Sequence, residues 1–186
     1  MTKFYTVCLF GGASDKIDSN YIEKIEELGR MIANNKCCLV YGAGATGCMG
    51  AVARGVSEKN GFVFGVTPNF MEDFEDVYEC DKLIKTRTMS ERKTIMEEQA
   101  DFYVIAPGGI GTMDEMFEIL TLKYLQQNDK PIIFYNIDNF YTDILDFIHS
   151  IVDKKFANEK IFDLFKVYDN IEDIEKELKK ELEKHN

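Results

Sequence analysis

The chain has 186 residues, of which 45% are hydrophobic and 30% are charged. This length supports one substantial core but not two ordinary domains, so we expect residues 1–186 to form a single domain. Lysine and arginine number 22 against 33 aspartates and glutamates, which gives a formal net charge of −11. A generic nucleic-acid or anionic-membrane surface needs a basic face, so this charge argues against both partners. An anionic ligand would have to be held by backbone N–H groups or by a few well-placed cations.

The sequence also limits the location and the chemistry of the protein. Its longest apolar stretch falls well short of the roughly 18 residues that a membrane span needs, and its N-terminus lacks a leader with a cleavage site. We therefore expect a cytoplasmic protein. Five cysteines without C-x-x-C spacing predict neither a disulfide framework nor a zinc ribbon. Because the chain has only two histidines, His149 and His185, we expect no histidine-based metal site or catalytic triad.

Short β-type runs alternate with helical patterns along the chain, which is typical of βαβ units in a parallel sheet. In chain order, the predicted strands cover residues 4–10, 37–41, 62–66, 83–86, 102–106, 131–135 and 166–168. The predicted helices cover residues 22–35, after capping candidates at 18–20, and then 49–59, 90–100, 112–127, 140–154 and 171–184. We therefore predict a Rossmann-like α/β domain, with a central, mostly parallel β-sheet flanked by helices on both faces.

One segment departs from this alternation, and the last helix has two possible roles. Thr67-Pro68 is expected to stop the third strand, and the acidic and aromatic residues at 69–82 predict a long loop that could serve as a lid. The last helix carries an apolar stripe made of Ile171, Ile174, Leu178 and Leu182. That stripe favours docking on the protein's own sheet, with binding of a partner as the alternative.

In open α/β sheets, ligands bind beyond the carboxyl ends of the strands, and three glycine turns follow strands here. One of them, Gly42-x-Gly44-x-x-Gly47, matches the dinucleotide fingerprint and lies between a predicted strand and a predicted helix. The next strand, however, ends in Thr67-Pro68 instead of the acidic residue that would hold a ribose. The glycines have two interpretations, a phosphate site or close packing of strand, turn and helix, and NAD binding is not favoured.

A second glycine turn, at residues 107–112, lies between a buried strand and a helix. Its glycines can turn backbone N–H groups toward a ligand, and the helix N-terminus adds partial positive charge, so a phosphate could bind there without lysine. Thr112-x-x-Glu115 also fits a capping box at the helix start. Spacing alone favours the cap for Glu115 over a catalytic role.

Arginine is scarce in this chain, and Arg92 falls near the start of a predicted helix. A helix start is an unfavourable place for a cation, so this position suggests a nearby anion. The alternative is a solvated Arg92-Lys93 pair on the helix surface.

Together, Met89-x-x-Arg92-Lys93 and the segment from Pro107-Gly108-Gly109 through Glu115 resemble the hallmark of the LONELY GUY (LOG) family of phosphoribohydrolases, long labelled lysine decarboxylases. The resemblance extends to the first two strands with their glycine turns, and to Thr121 and Lys130-Pro131. Three positions depart from the family pattern: Ala43 replaces a glycine, Asp114 a glutamate, and no tryptophan follows Thr121.

The resemblance implies hydrolysis of the N-glycosidic bond of N6-modified AMP or AMP, giving free base and ribose 5-phosphate. It implies that Glu115 stabilises the positive charge on the sugar and positions water, while Arg92 holds the base or the phosphate. The implied substrate-binding residues are Lys93, Gly108, Gly109, Ile110, Gly111, Thr112, Met113, Asp114 and Thr121. Gly11, Gly12, Gly42 and Gly44 are candidate phosphate or nucleotide contacts. Family members are dimers, so we expect a homodimer, without metal or organic cofactor.

Three other functions are alternatives to this hypothesis. A nucleotide-binding sensor or carrier could use the same glycine cradle without turnover, but it would not need both Arg92 and Glu115. An NAD-dependent oxidoreductase would retain nicotinamide in the purified protein. Pyridoxal-dependent decarboxylation needs a Schiff-base lysine with a pyridinium partner, and it gives no reason for an arginine–glutamate pair beside a phosphate turn.

Overall fold

A computed structural model describes residues 4–185, with every side chain in that range except that of Glu72. The strands are β1 Thr6–Phe10, β2 Cys38–Tyr41, β3 Val63–Pro68, β4 Lys82–Thr86, β5 Phe102–Ile105, β6 Ile132–Tyr135 and β7 Lys166–Tyr168. The α-helices are α1 Ser19–Asn34, α2 Gly47–Glu58, α3 Met89–Gln99, α4 Ile110–Tyr124, α5 Thr142–Asp153 and α6 Ile171–His185. Short 3₁₀ helices occur at Asn69–Asp73, Ile137–Asn139 and Glu159–Asp163.

The seven strands form one sheet in the order β4-β3-β2-β1-β5-β6-β7, and all six pairings are parallel. From β1 the chain first moves outward through β2 to β4, and then returns across the sheet to add β5 on the other side of β1. Such a reversal of strand order opens a crevice at the carboxyl ends of the strands. The prediction of a Rossmann-like α/β fold with a parallel sheet is confirmed.

Alternate residues of the inner strands enter two hydrophobic cores, one on each face of the sheet. Val7 and Leu9 of β1 face the core that packs α1, α2 and α6, whereas Cys8 and Phe10 face the core that packs α3, α4 and α5. Burial on both faces explains why the strands are continuous apolar runs instead of alternating patterns.

The docked position of the last helix follows from the same packing. Ile174 and Leu178 of α6 are fully buried in the first core, and Ile171 and Leu182 pack at its edge. The apolar stripe therefore covers the protein's own sheet, as the preferred interpretation of the sequence predicted.

Several predicted boundaries were wrong for local reasons. Thr67 and Pro68 do not stop β3 but continue it along β4, because pairing with β2 already ends at Gly65 and Pro68 occupies the last position of the strand. The helix predicted to reach residue 127 ends at Tyr124, and Gln126 adopts a left-handed conformation with φ of 59°. The 69–82 segment is not a free loop, as described below. Within residues 4–185, no helix is both long and apolar enough to cross a bilayer.

Candidate active site

Arg92 and Glu115 form an ion pair beneath the carboxyl ends of the strands. Arg92 Nη1 lies 2.9 Å from Glu115 Oε1, and the two residues are only 8% and 5% exposed. Arg92 belongs to the first turns of α3 and Glu115 to the second turn of α4, so the fold joins residues 23 positions apart. The interpretation of Arg92 as a solvated surface residue was therefore wrong.

The start of α3 is fixed by hydrogen bonds that hold Arg92 in place. Thr88 Oγ1 accepts from the Glu91 N–H at 3.1 Å, and Glu91 Oε2 accepts from the Arg87 N–H at 2.8 Å. This arrangement is close to a capping box. The sequence had predicted a capping box for the next helix, α4, and not for α3. Arg92 Nε also donates to the Val66 carbonyl at 3.2 Å, which ties the guanidinium to the end of β3.

Gly42, at the end of β2, makes room for the arginine. A β-carbon at this position would overlap Nη2 of Arg92 and would crowd the sulfur of Met49. The glycine of the apparent dinucleotide fingerprint is thus required by the packing of the guanidinium. The next residue, Ala43, has a φ of 66° and is fully buried, so the chain keeps a left-handed conformation where the family uses glycine.

Glu115 has an unusual electrostatic setting. Burial raises the pKa of the Glu115 carboxyl to about 7, and the Arg92 guanidinium opposes that rise. Despite the short distance to Arg92, Oε1 accepts no well-aligned hydrogen bond from any residue the structure describes. A buried acceptor whose one close donor is poorly aligned is incompletely satisfied, and a hydroxyl group or a water molecule of a bound substrate complex would complete its hydrogen bonding.

The N-terminus of α4 is open and is not capped by a side chain. Gly109 is the N-cap, without a side-chain hydrogen bond, and a β-carbon on Gly109 or Gly111 would meet no atom within 4 Å. Thr112 is the third residue of the helix and is buried against Gly108, so the predicted capping box of Thr112 and Glu115 was wrong. The exposed N–H groups of the first turn and the helix dipole form a surface suited to an anion.

Lys93 is held by the acidic residues of α4 instead of pointing freely into solvent. Its Nζ lies 2.9 Å from Asp114 Oδ2 and 2.5 Å from Glu118 Oε2. This places the ammonium group within one turn of Glu115 along the helix, next to the buried pair. Among the described residues, no group of three histidine, cysteine, aspartate or glutamate side chains is arranged to hold a metal ion.

Three other residues that were predicted to bind substrate, Ile110, Met113 and Thr121, also lie on α4. Ile110 is 87% exposed at the start of α4, and Met113 packs partly against the second core. Thr121 is exposed, and its hydroxyl donates to the Phe117 carbonyl at 2.7 Å, so the fold of one chain does not bring Thr121 to the buried pair.

Gly11 and Gly12 form the glycine turn after β1, which contacts the glycine turn at residues 107–112. The Gly12 N–H donates to the Pro107 carbonyl at 3.0 Å, and the Gly12 carbonyl accepts from the Met49 N–H at 3.2 Å. A β-carbon on Gly11 would crowd Cys48 and Ala106. These glycines therefore allow close packing between turns. The last of the four predicted contacts of this kind, Gly44, lies under the segment described next.

The sequence analysis did not predict how residues 69–81, which we call the strap, cross the glycine turn at residues 42–47. Val77 forms an antiparallel bridge with Gly44, the Ala45 N–H donates to the Asp76 carbonyl at 2.9 Å, and the Tyr78 N–H donates to the Ala43 carbonyl at 2.9 Å. The strap is thus pinned by backbone hydrogen bonds. Its irregular, acidic sequence gave no periodic signal from which this pairing could have been found.

Two clefts flank the first glycine turn at the carboxyl ends of the strands. One, of about 600 Å³, is lined by Ala13, Ser14, Thr46 and the strap, and is polar. The other, of about 380 Å³, is lined by Gly108, Gly109 and an apolar group formed by Ile17, Tyr21 and Phe140. Because the two clefts share Ala13 and Ser14, they form neighbouring parts of one crevice.

Comparison with known proteins gives the family. The protein family described as "Possible lysine decarboxylase" matches residues 49–178. The chain is 33% identical over 175 residues to the cytokinin riboside 5′-monophosphate phosphoribohydrolase of Mycobacterium tuberculosis, covering 93% of this chain and 92% of that protein. It is 34% identical over 156 residues to the Arabidopsis thaliana protein of the same name, LOG5, covering 83% of this chain and 68% of that one.

Solved structures show a similar fold at lower sequence identity. The molybdenum cofactor binding protein of Rippkaea orientalis is 17% identical with a TM-score of 0.74, covering 97% of this chain and 98% of that one. The molybdenum cofactor carrier protein of Chlamydomonas reinhardtii is 22% identical with a TM-score of 0.74, covering 96% of this chain and 98% of that one. At this identity the likeness extends to the fold alone. The family match and the curated relatives, which cover most of the chain, show that this protein belongs to the LONELY GUY (LOG) family.

Proposed function

We propose that the protein is a phosphoribohydrolase that cleaves the N-glycosidic bond of AMP or N6-modified AMP, giving the free base and ribose 5-phosphate. The observation that carries this proposal is the buried Arg92–Glu115 pair, because Glu115 belongs to the helix that begins at the uncapped, glycine-lined N-terminus. Its curated relatives carry the name of this activity. A site with both an anion cradle and a buried carboxylate fits a substrate that has a phosphate and a reacting sugar.

The proposed chemistry begins at C1′ of the ribose. Departure of the base takes the electron pair of the C1′–N bond and leaves positive charge on the sugar ring, as in other glycosyl transfers. The ionised carboxylate of Glu115 stabilises that charge and orients a water molecule, whose oxygen forms the new bond to C1′. The proton lost by this water balances the proton gained by the departing base.

The Arg92 side chain has two roles in the proposed mechanism. Its planar guanidinium favours the ionised form of Glu115 against the burial that raises the pKa of this carboxyl, and its remaining N–H groups hold the leaving base or the phosphate. Gly109, Gly111 and Thr112 are proposed to hold the 5′-phosphate through the first turn of α4, with Gly108, Ile110 and Met113 completing that wall. Lys93 and Asp114, which contact each other, stand at its outer edge.

We also propose that the protein acts as a homodimer in the cytoplasm. Exposed apolar residues follow one side of α4 at seven-residue spacing, namely Ile110, Phe117 and Tyr124. Such a stripe on an otherwise charged chain is typical of an interface. Thr121 lies on the same side, so a second copy packed there is what could bring it near a substrate. The five cysteines are free thiols, which suits a reducing compartment.

The test is direct product analysis. The pure protein is incubated, without added metal, with AMP and with N6-isopentenyl-AMP, and the products are separated by chromatography. Release of the free base supports the hydrolase and ranks the two substrates. Tight nucleotide binding by calorimetry without any release would contradict it and favour a sensor or carrier. Glu98 is an exposed residue of α3, so Glu98→Gln is the matched control for Glu115→Gln.

A further inference from the structure

The strap places a third ionisable side chain beside the candidate active site. Glu75 precedes the bridge between Val77 and Gly44, and its Oε2 lies 3.4 Å from the point that a β-carbon on Gly44 would occupy. The side chain is half-buried. Burial raises the pKa of the Glu75 carboxyl, and the Arg92 guanidinium opposes that rise. The carboxylate is therefore within the electrostatic reach of the catalytic arginine.

Arg92 contacts the Glu115 carboxylate and also influences that of Glu75 through its charge. Nη1 contacts Glu115 at 2.9 Å, while Nη2 packs over Gly42, only two residues before the glycine that Glu75 covers. The carboxylate of Glu75 thus adds a second acidic group near this cation. An additional negative charge near the site favours a reaction that develops positive charge on its substrate.

Unlike Glu115, Glu75 also borders open space. It lines the polar cleft of about 600 Å³ together with Ala13, Ser14 and Thr46. Among the described residues, no donor hydrogen-bonds to its carboxylate, whose pKa responds only to burial and to the charge of Arg92. An ionised carboxylate can only accept hydrogen bonds, so the group that completes this arrangement must be a donor.

We propose that Glu75 accepts hydrogen bonds from the ribose hydroxyls of the substrate and so determines a preference for ribonucleotides over 2′-deoxyribonucleotides. This inference rests on the proposed function and deepens it. The phosphate cannot be the partner because its charge has the same sign as that of Glu75. The hydroxyl-bearing C2′ is bonded to C1′, the atom beside which Glu115 is proposed to act, so the hydroxyls must lie close to Glu115 and its partner Arg92.

The backbone hydrogen bonds of the strap explain how Glu75 is held in position. The Ala45 N–H donates to the Asp76 carbonyl and the Tyr78 N–H donates to the Ala43 carbonyl, so one bond lies on each side of Val77. Neither bond involves the Glu75 side chain. Substitutions of Glu75 therefore leave the strap's own anchors intact. This separates a role in recognition from a role in folding.

The experiment compares two sugar phosphates that bind without turnover. Dissociation constants for ribose 5-phosphate and 2-deoxyribose 5-phosphate are measured by calorimetry on the wild-type protein, on Glu75→Ala and Glu75→Gln, and on the exposed strap control Glu79→Gln. Hydrolysis of AMP and 2′-deoxy-AMP is measured on the same four proteins, and melting temperatures are recorded for each. Glu75→Ala removes the acceptor, whereas Glu75→Gln removes only its charge.

We expect wild-type protein and Glu79→Gln to bind the ribose compound roughly tenfold or more tightly than its deoxy analogue, which is the effect of one hydrogen bond to a charged acceptor. Glu75→Ala should bring that ratio close to one, with Glu75→Gln between the two and melting temperatures unchanged. An unchanged ratio in both Glu75 variants, or no sugar-phosphate binding by the wild type, would overturn the inference. Absence of AMP hydrolysis by a wild-type protein that still distinguishes the two sugars would instead contradict the proposed function alone.

Discussion

The guanidinium of Arg92 lies over Gly42, in the volume that any larger residue at position 42 would fill with its side chain. The sequence motif that contains Gly42 suggests a phosphate contact, yet the glycine is needed to seat a buried cation beside Glu115. A glycine-rich turn can therefore shape the space for a side chain from another helix instead of contacting a ligand.

Gly42→Ala tests this relationship. The added methyl group should displace Arg92 from its contact with Glu115, so kcat for AMP hydrolysis should fall by about 10²-fold, comparable to the loss of one electrostatic contact in a buried site. Binding of ribose 5-phosphate, measured by calorimetry, should change much less. If binding is lost while kcat for the remaining complex is retained, Gly42 is a phosphate contact after all.

The pH dependence of the reaction should report the ionisation of Glu115. Its pKa is raised to about 7 by burial, so kcat/KM should increase with pH up to about 7 and then level off. The same shift acts on stability in the opposite direction. Because the folded carboxyl binds its proton more tightly than the unfolded one, this group's contribution falls as pH rises from its ordinary value of 4.5 to about 7. A rate that declines across that range would contradict the assigned protonation state.

Arg92→Ala should leave a buried carboxylate without its cation. Breaking a buried ion pair costs roughly 3–5 kcal/mol of the free energy of unfolding, and the cost should be larger at pH 8 than at pH 5.5, where protonated Glu115 needs no partner. Urea unfolding at the two pH values measures it. The variant's remaining activity should also require a higher pH. Equal destabilisation at both pH values would show that Glu115 is not charged in the folded protein.

Phe117→Lys tests the proposed dimer. Phe117 is 39% exposed in the middle of the α4 stripe, and a lysine there should prevent apolar packing between two copies. Light scattering should give twice the chain mass of 21.4 kDa for the wild type and a mass close to that of one chain for the variant. Phe62→Lys, at a residue 44% exposed before β3, is the control and should keep the wild-type mass.

Much of the fold could be predicted from the sequence because apolar runs and glycine turns are local signals. The buried strands, the docking of α6 and the parallel sheet all follow from such patterns. The resemblance of two spaced motifs to one family also indicated Arg92 and Glu115 before any geometry was known. The contact between them, at 2.9 Å, depends on how α3 and α4 pack, and no pattern within either segment contains that information.

The errors have a common physical origin in contacts that lie outside the local pattern from which each prediction was made. Thr112 and Glu115 have capping-box spacing, but burial of Thr112 against Gly108 moves the helix start to Ile110. The strap has no periodicity of its own because its backbone pairs with the turn at residues 43–45. Glu75 was missed for the same reason, since its neighbours Gly44 and Arg92 come from distant segments.

The central claim is that Glu115 supports cleavage of the bond between base and ribose in AMP. Its most direct test is a quantitative product balance for the wild-type protein and Glu115→Gln, counting adenine, ribose 5-phosphate, adenosine and inorganic phosphate. We predict adenine and ribose 5-phosphate in a one-to-one ratio from the wild type, and a rate at least about 10²-fold lower for Glu115→Gln, which lacks the charge that stabilises the sugar. Wild-type rates in Glu115→Gln, or adenosine and inorganic phosphate as the products, would contradict this account.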